Sequence, residues 1–209
     1  MHEMPLFASS KLLVATHNAG KLREFQTYLK DVPLRLLSLS DLGAEKAEVE
    51  EIGLTFAENA ALKARAYAKR ARLWTLADDS GLEVEALGGA PGVLSARYAG
   101  AGASDEARIA LLLDELARTR DEARRARFVC VLALADAEAN LIKIFTGTCA
   151  GRIASAPCGM NGFGYDPVFV PDGYKETFGE LTPETKARIS HRARALHELK
   201  SFLLNSLRA

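Results

Sequence analysis

The sequence predicts an α/β protein with a mixed β-sheet flanked by helices. Short apolar β runs and segments of helical periodicity interleave along the chain, but they do not alternate strictly, and a long β-hairpin interrupts them. The chain has 209 residues, of which 48% are hydrophobic and 26% charged. Such a length and composition suit one large globular domain with a buried core.

The first part of the chain contains a strand–loop–helix unit, a second strand and a second helix. KLLVAT is an apolar β run, HNAG breaks it, and KLREFQTYL has apolar residues at helical spacing. LRLLSLS is the next predicted strand, and TFAENAALKARAYAKRA is a strong helix. Thr55 is suited to its N-cap and Glu58 stands three residues later, which predicts a capping box.

An acidic doublet, Asp78 and Asp79, follows the apolar residues of LWTLA. The sequence predicts strands in LWTLAD and LEVEAL on either side of an Asp-Asp-Ser-Gly turn, and Asx-type turns are common in such segments. Neighbouring side chains on a strand point to opposite faces, so the two aspartates are expected to have different roles. No Lys or Arg lies close to the doublet in sequence, and the doublet is expected to need no basic partner because a metal ion takes that place.

The second part of the chain contains two Gly-rich loops, one on each side of a helix and a hairpin. LGGAPGVLSARYAGAGAS is the first loop, and Ser104 caps the helix that follows. A β-hairpin is predicted to turn near residues 138–140, before the second loop, CGMNGFGYDP. The final helix has Thr182 as its N-cap, Pro183 at its first position and a predicted break at Ser190.

Bulk properties exclude several classes of partner. The 27 basic and 27 acidic residues cancel, which disfavours nucleic acid as a partner. No apolar run reaches the length that spans a bilayer, so no membrane association is expected. Residues 1–10 lack a basic n-region and are interpreted as an extension preceding a single domain at 11–209. Three cysteines without CxxC spacing fit a reduced, cytoplasmic protein in which Cys130 fills the core.

VATHNAGK is suited to phosphate binding. A strand leads through a Gly-containing turn into a helix N-terminus, where free N–H groups and the helix dipole favour anions. Thr16 and Asn18 add polar side chains and Lys21 adds positive charge. An ordinary turn capped by Asn18 explains the same residues equally well.

Carboxylates elsewhere suggest a divalent cation. Glu50 and Glu51 precede the second helix, Lys63 lies within it, and Asp78 and Asp79 end an apolar run. Considered one at a time, Glu50 and Glu51 are equally explained as partners of the helix dipole, and Lys63 as a solvent-exposed lysine. Together with the phosphate-binding segment, they indicate Mg²⁺ bound to a nucleoside triphosphate, because hard cations prefer carboxylate oxygens.

Two segments near the C-terminus are suited to a purine base. Phe163 and Tyr165 on a Gly-rich loop can stack a base or fill the core. Lys186, His191 and Arg192 can donate to the edge of a purine, or His191 and Arg192 can form a surface pair.

Five segments in this order and spacing resemble the inosine triphosphate pyrophosphatase, or Ham1-like, family: THNAGK, EEIGLTFAENAALKA, LADDSGLEVEALGGAPGVLSARYAG, GFGYDPVF and ELTPETKARISHR. The resemblance covers almost the whole chain from Lys11. It implies an elongated fold of two lobes with the active site in the cleft between them, and a homodimer. The implied house-cleaning reaction is Mg²⁺-dependent hydrolysis of ITP, dITP or XTP to the monophosphate and pyrophosphate.

The resemblance also implies roles for individual residues. Asp79 is the catalytic base, Glu51 and Asp79 bind the metal, and Lys63 contacts phosphate. The phosphate-binding segment consists of Thr16, His17, Asn18, Ala19, Gly20 and Lys21. Further substrate-binding residues are Ser80, Arg97, Phe163, Gly164, Tyr165, Asp166, Lys186, His191 and Arg192.

His17 and Asn161 depart from the family pattern, and both departures concern fine specificity rather than activity.

The sequence leaves two rival functions open. One is a pyrophosphatase for modified pyrimidine or standard nucleotides, which the SHR and GFGYDP segments oppose. The other is a non-catalytic nucleotide-binding regulator, which Glu51, Lys63 and Asp79 oppose, because binding alone needs no water-activating carboxylate.

Overall fold

A computed structural model describes residues 11–44, 49–119, 122 and 124–207. The predicted N-terminal extension, residues 1–10, lies outside the described residues. The described part of the chain contains six strands, namely β1 (Lys11–Ala15), β2 (Arg35–Ser38), β3 (Thr75–Val84), β4 (Arg125–Ala135), β5 (Leu141–Ile153) and β6 (Phe169–Pro171). It also contains five α-helices, namely α1 (Ala19–Leu29), α2 (Phe56–Ala71), α3 (Asp105–Ala117), α4 (Pro183–Ile189) and α5 (His191–Ser206).

The strands form one sheet in the order β2-β1-β3-β4-β5-β6. Strand β1 pairs in parallel with both β2 and β3, whereas β5 and β6 are antiparallel. The sheet is therefore mixed and accompanied by helices, as the sequence predicts. The chain passes from β1 outward to β2 and then back across β1 to β3. Because such crossovers are almost always right-handed, two crossovers in opposite directions are expected to place α1 and α2 on opposite faces of these strands.

Strand β3 corrects one prediction. The Asp-Asp-Ser-Gly segment is not a turn, because β3 continues without interruption from Thr75 to Val84. Nearly every residue of β3 is buried, including both aspartates, so it lacks the alternation of a half-exposed strand. Pairing within the sheet outweighs the local preference of this segment for a turn.

The helix boundaries follow the predicted caps. The Asn18 side chain accepts from the Lys21 backbone N–H at 3.0 Å, so the capping interpretation of Asn18 is confirmed. Thr55 and Glu58 form a reciprocal capping box at α2. Ser104 caps α3, Thr182 caps α4, and Ser190 separates α4 from α5. The β4–β5 hairpin also turns within the predicted region.

The chain divides into two compact units. The first takes its described residues from Met1–Asp79, Val131–Thr146 and Arg194–Ala209, and the second from Ser80–Cys130 and Gly147–Ala193. Apolar residues of β1, α1 and α2 are buried in the first unit, and Leu82, Leu112, Phe128, Phe169 and Phe178 belong to the core of the second. Cys130 is fully buried, as predicted. No helix in the described ranges is long and apolar enough to cross a membrane.

Candidate active site

The order β2-β1-β3 creates a change of chain direction between β1 and β3 in the first unit. In open α/β sheets, ligands bind outside the carboxyl ends of the strands at such a switch point. Ala15 of β1 pairs with Ala77 of the parallel strand β3. Thr16 and Asp78, the next residues along the chain, therefore lie at the same end of this strand pair. The topology thus brings the phosphate-binding segment and the acidic doublet together.

The two aspartates bind lysines from different helices. Lys21 Nζ of α1 lies 2.7 Å from Asp78 Oδ2, and Lys63 Nζ of α2 lies 3.2 Å from Asp79 Oδ1. Different roles for the neighbours agree with the alternation of side chains on a strand. The prediction that the doublet has no basic partner is wrong, because both lysines are distant in sequence and only the fold brings them to β3.

Lys63 lies between two carboxylates. Its ammonium is 2.7 Å from Glu51 Oε1 and 3.2 Å from Asp79 Oδ1. Asp79 is only 6% exposed, and its Oδ2 has no hydrogen-bond partner within the described part of the chain. A buried carboxylate oxygen without a donor is costly, so a bound cation, proton or water at Oδ2 would be favoured.

The electrostatics of this group suit a base. Burial raises the pKa of Asp79, and repulsion from Glu51 and Asp78 adds to this effect, while Lys63 and Lys21 oppose it. Burial by itself lowers the pKa of Lys63, but attraction to Asp79, Asp78 and Glu51 outweighs burial and raises the pKa overall. Lys63 therefore stays charged, whereas Asp79 binds protons more strongly than an ordinary aspartate, as a general base requires.

The carboxylates fit a magnesium ion that takes part of its coordination from the phosphates of a substrate. Within the ranges that the structure describes, no group of three or more His, Cys, Asp or Glu side chains is arranged to hold a metal. Mg²⁺ commonly takes only one or two protein carboxylates, with water and substrate phosphates completing its coordination. Glu51 and Asp79 match that requirement. Both contact Lys63, and Asp79 Oδ2 is a buried oxygen without a hydrogen-bond donor in the described structure.

A further side chain fixes the segment that bears Glu51. Asn59 is fully buried on α2, and its Oδ1 accepts from the Gly53 backbone N–H at 2.8 Å. A methyl group on Gly53 would approach that oxygen to 2.7 Å, which is too close. Asn59 did not emerge from the sequence, although an asparagine inside an otherwise Ala-rich helix is a usable signal.

Much of the phosphate-binding segment is engaged in its own loop. Thr16 Oγ1 accepts from the Asn18 backbone N–H at 3.2 Å, and Asn18 caps α1, whose first residues are Ala19 and Gly20. His17 is exposed, and its Nε2 lies 2.9 Å from the hydroxyl of Tyr67 on α2. The loop is thus shaped by its own side chains, with the N-terminus of α1 exposed next to them.

We expect Lys21→Ala to impair both folding stability and substrate binding. Asp78 is 2% exposed at its side chain, so losing Lys21 removes a charge partner from a buried carboxylate. The free energy of unfolding should fall by about 1–3 kcal/mol. KM for a nucleoside triphosphate, the substrate that the family resemblance implies, should also rise, because a cation is lost beside the α1 N-terminus. Denaturant unfolding and steady-state kinetics measure the two effects.

The double variant Lys21→Ala/Asp78→Asn separates these effects. It removes the buried charge along with its partner, so much of the stability should return while KM stays high. If KM returns to the wild-type value together with stability, Lys21 serves the fold only.

A second group of predicted residues surrounds Phe163 in the second unit. Lys186 Nζ lies 4.6 Å from the centre of the Phe163 ring, and Arg192 Cζ lies 5.6 Å from it. Arg192 is 2% exposed and donates through Nη2 to Ser80 Oγ at 3.0 Å. His191 is 4% exposed and stacks on Phe128 with 4.7 Å between ring centres. Lys186 and Arg192 thus place buried hydrogen-bond donors beside Phe163, and His191, the residue before Arg192, is buried against Phe128.

Asp166 organises this group from the inside. Its Oδ2 accepts from Lys186 Nζ at 2.6 Å and from the Phe163 backbone N–H at 2.8 Å. Gly162 has φ +80°, and a methyl group there would lie 2.0 Å from the same oxygen. Only glycine fits at residue 162, because any side chain would collide with Asp166.

Tyr165 occupies the core rather than presenting a free face. It is 4% exposed, packs in the core of the second unit and donates its hydroxyl hydrogen to Ser95 O at 3.0 Å. Burial raises the pKa of its phenol, which keeps it a donor. Of the two aromatic residues, half-buried Phe163 is therefore the candidate for base stacking.

Arg97 is exposed at the end of a 3₁₀ helix, Gly92–Arg97, and Gly164 follows Phe163 in the loop.

Comparisons with known proteins agree with this arrangement. The sequence profile described as the Ham1 family matches residues 12–202. The chain is 48% identical to a protein of Shigella flexneri named dITP/XTP pyrophosphatase, with 93% of this chain and 98% of that protein covered. A protein of the same name from Oceanobacillus iheyensis is 45% identical, with 92% and 98% covered. The solved structure of a HAM1 protein from Coxiella burnetii superposes with TM-score 0.86 at 42% identity, with 93% of this chain and 98% of that chain covered.

Proposed function

The chain belongs to the Ham1 family, and we propose that it hydrolyses noncanonical purine nucleoside triphosphates. The substrates are ITP, dITP and XTP, and the products are the nucleoside monophosphate and pyrophosphate. The relatives named dITP/XTP pyrophosphatase share nearly their whole length with this chain, which supports the same reaction. The reaction removes abnormal purines from the nucleotide pool, and we place it in the cytoplasm because that pool is there.

One observation carries the chemical part of the proposal. Asp79 is a buried carboxylate with a raised pKa and one oxygen without a hydrogen-bond donor in the described structure. Asp79 accepts a proton from a water molecule, whose oxygen attacks the α-phosphorus. The bond to the α–β bridging oxygen breaks, and that oxygen leaves with pyrophosphate.

The surrounding residues support this step through charge and position. The ammonium of Lys63 keeps Asp79 in place and adds positive charge beside it. Lys21 and the N-terminus of α1 hold the phosphate chain. Glu51 and Asp79 would hold Mg²⁺, which supplies neutralisation of phosphate charge and a more acidic water.

The group around Phe163 selects the base. Phe163 offers an aromatic face, and Lys186, His191 and Arg192 offer donors to the oxygen at position 6 of hypoxanthine or xanthine. Adenine carries an amino group at this position, so a donor of the base would face the donors of the protein, and such mismatches give strong discrimination. We also propose a homodimer, as the family resemblance implies, and sedimentation measures its mass.

A nucleotide panel tests the proposed function. Pyrophosphate and orthophosphate release are measured for ITP, dITP, XTP, GTP, ATP and a modified pyrimidine triphosphate, with Mg²⁺ and with a chelator. We expect pyrophosphate from the first three only when Mg²⁺ is present. Nucleotide binding without product would indicate a regulator, orthophosphate alone would indicate cleavage at another bond, and equal turnover of pyrimidine substrates would contradict base selection.

A further inference from the structure

Asp105 makes two contacts that helix capping does not require. It is the first residue of α3, where a carboxylate ordinarily interacts with the helix dipole alone. Here Asp105 Oδ2 accepts from the Gly164 backbone N–H at 2.6 Å. Asp105 Oδ1 accepts from Arg108 Nη2. The carboxylate thus connects α3 directly to the loop that carries Phe163.

Arg108 extends this connection to the segment that carries Arg97. Its Nη1 donates to the carbonyl oxygens of Ala96 and Ala103, each at 2.8 Å. These two carbonyls lie on either side of Arg97 in sequence. Arg108 therefore fixes both ends of an exposed, glycine-rich turn while its third contact holds Asp105.

Tyr165 provides a parallel connection between the same two segments. Its hydroxyl donates to Ser95 O, and Ser95 Oγ accepts from the Leu82 backbone N–H at 2.9 Å. The 95–103 segment and the 162–166 loop are therefore joined twice, once through the core and once through Asp105 and Arg108. The core connection runs through buried groups, whereas the polar connection runs between the half-buried loop of Phe163 and the exposed segment of Arg97.

We propose that Asp105 and Arg108 are positioning residues that set the geometry between the base-binding loop and the Arg97 segment. The inference rests on the proposed function, which assigns Phe163 to the base, and on the family resemblance, which implies that Arg97 binds the substrate. The pair acts on nucleotide affinity and base selection, and has no part in the attack on phosphorus. A purely structural pair would lower stability without weakening IMP inhibition more than pyrophosphate inhibition.

The decisive variant is Asp105→Ala. We expect KM for ITP to rise about tenfold, the usual scale for losing a hydrogen bond to a charged group, while kcat changes little. Inhibition by IMP, which contains the base, should weaken similarly, whereas inhibition by pyrophosphate alone should stay unchanged. Hydrogen–deuterium exchange in peptides covering 162–166 should accelerate in the nucleotide-free protein.

Two further variants control for general damage. Asp105→Asn keeps an oxygen acceptor for Gly164 N–H but loses the charge facing Arg108, so it should restore part of the ITP affinity. Asp114→Ala removes the partner of Arg118 on the same helix, where both side chains are exposed. It should leave KM, IMP inhibition and exchange at 162–166 as in wild type.

The outcomes separate this inference from the proposed function. A wild-type protein that releases no pyrophosphate from any purine triphosphate refutes the function, while the exchange measurement still tests the connection. An active enzyme in which Asp105→Ala leaves KM, IMP inhibition and exchange unchanged overturns the inference. Equal weakening of IMP and pyrophosphate inhibition also overturns it, because the effect would then not be specific to the base.

Discussion

Asp79→Asn should reduce kcat for ITP by roughly 10²–10⁴, the usual effect of losing a general base. Asparagine keeps the shape of the side chain but cannot accept the proton of the attacking water. Folding should suffer little, because the substitution removes a buried charge whose pKa is raised by burial. Pyrophosphate release under saturating ITP and Mg²⁺ measures the effect, and thermal unfolding verifies the fold.

Asp78→Asn is the matched control for this prediction. Asp78 is the neighbouring buried carboxylate of β3, and it forms an ion pair with Lys21 of α1. Its substitution should act mainly on stability and KM. If both variants lose the same fraction of kcat, the loss reflects the charge of the doublet in general, and Asp79 is not the specific base.

Arg192→Ala should narrow the preference for ITP over ATP. Arg192 is buried beside Phe163 and Ser80, so its guanidinium is held in a fixed position. Removing a buried donor to the 6-oxygen should lower kcat/KM for ITP by roughly 10²-fold or more, while ATP, which has no acceptor there, loses far less. The measurement is kcat/KM for ITP, XTP, GTP and ATP in both proteins.

Arg194→Ala controls for loss of a cation from α5. Arg194 lies on the same helix but is exposed. Its substitution should leave the ITP-to-ATP ratio unchanged. A ratio that is equally unchanged in Arg192→Ala would exclude Arg192 from base selection, and a wild type that hydrolyses ATP and ITP equally would contradict purine-edge recognition altogether.

Local chemistry explains what the sequence predicts well. The caps at Asn18, Thr55, Ser104 and Thr182 are confirmed because a capping side chain bonds to backbone within a few residues. The mixed sheet follows from the order of apolar segments, and the family follows from five motifs that span the chain.

Partners that are distant in sequence account for what the sequence does not reveal. The lysine bound to Asp78 comes from α1, and the one bound to Asp79 comes from α2, so neither pairing is visible beside the doublet. The continuity of β3 through Ser80 and Gly81 also escapes local reasoning, because sheet pairing overrides turn preference there. Tyr165 could stack or fill the core by sequence, and only its burial distinguishes the two.

Because β3 is continuous, the direction in which each aspartate of the doublet points depends on whether its position along the strand is odd or even. Asp78 faces the lysine of α1 and Asp79 the lysine of α2 because odd and even positions of a strand face opposite ways. Deleting one residue upstream within β3 would exchange the two faces and send each carboxylate toward the wrong helix. Deleting two would restore the facing but draw both carboxylates back by about 7 Å along the strand. Neither change keeps both facing and position, so a change in the length of β3 moves both carboxylates at once, whereas a substitution changes one side chain in place.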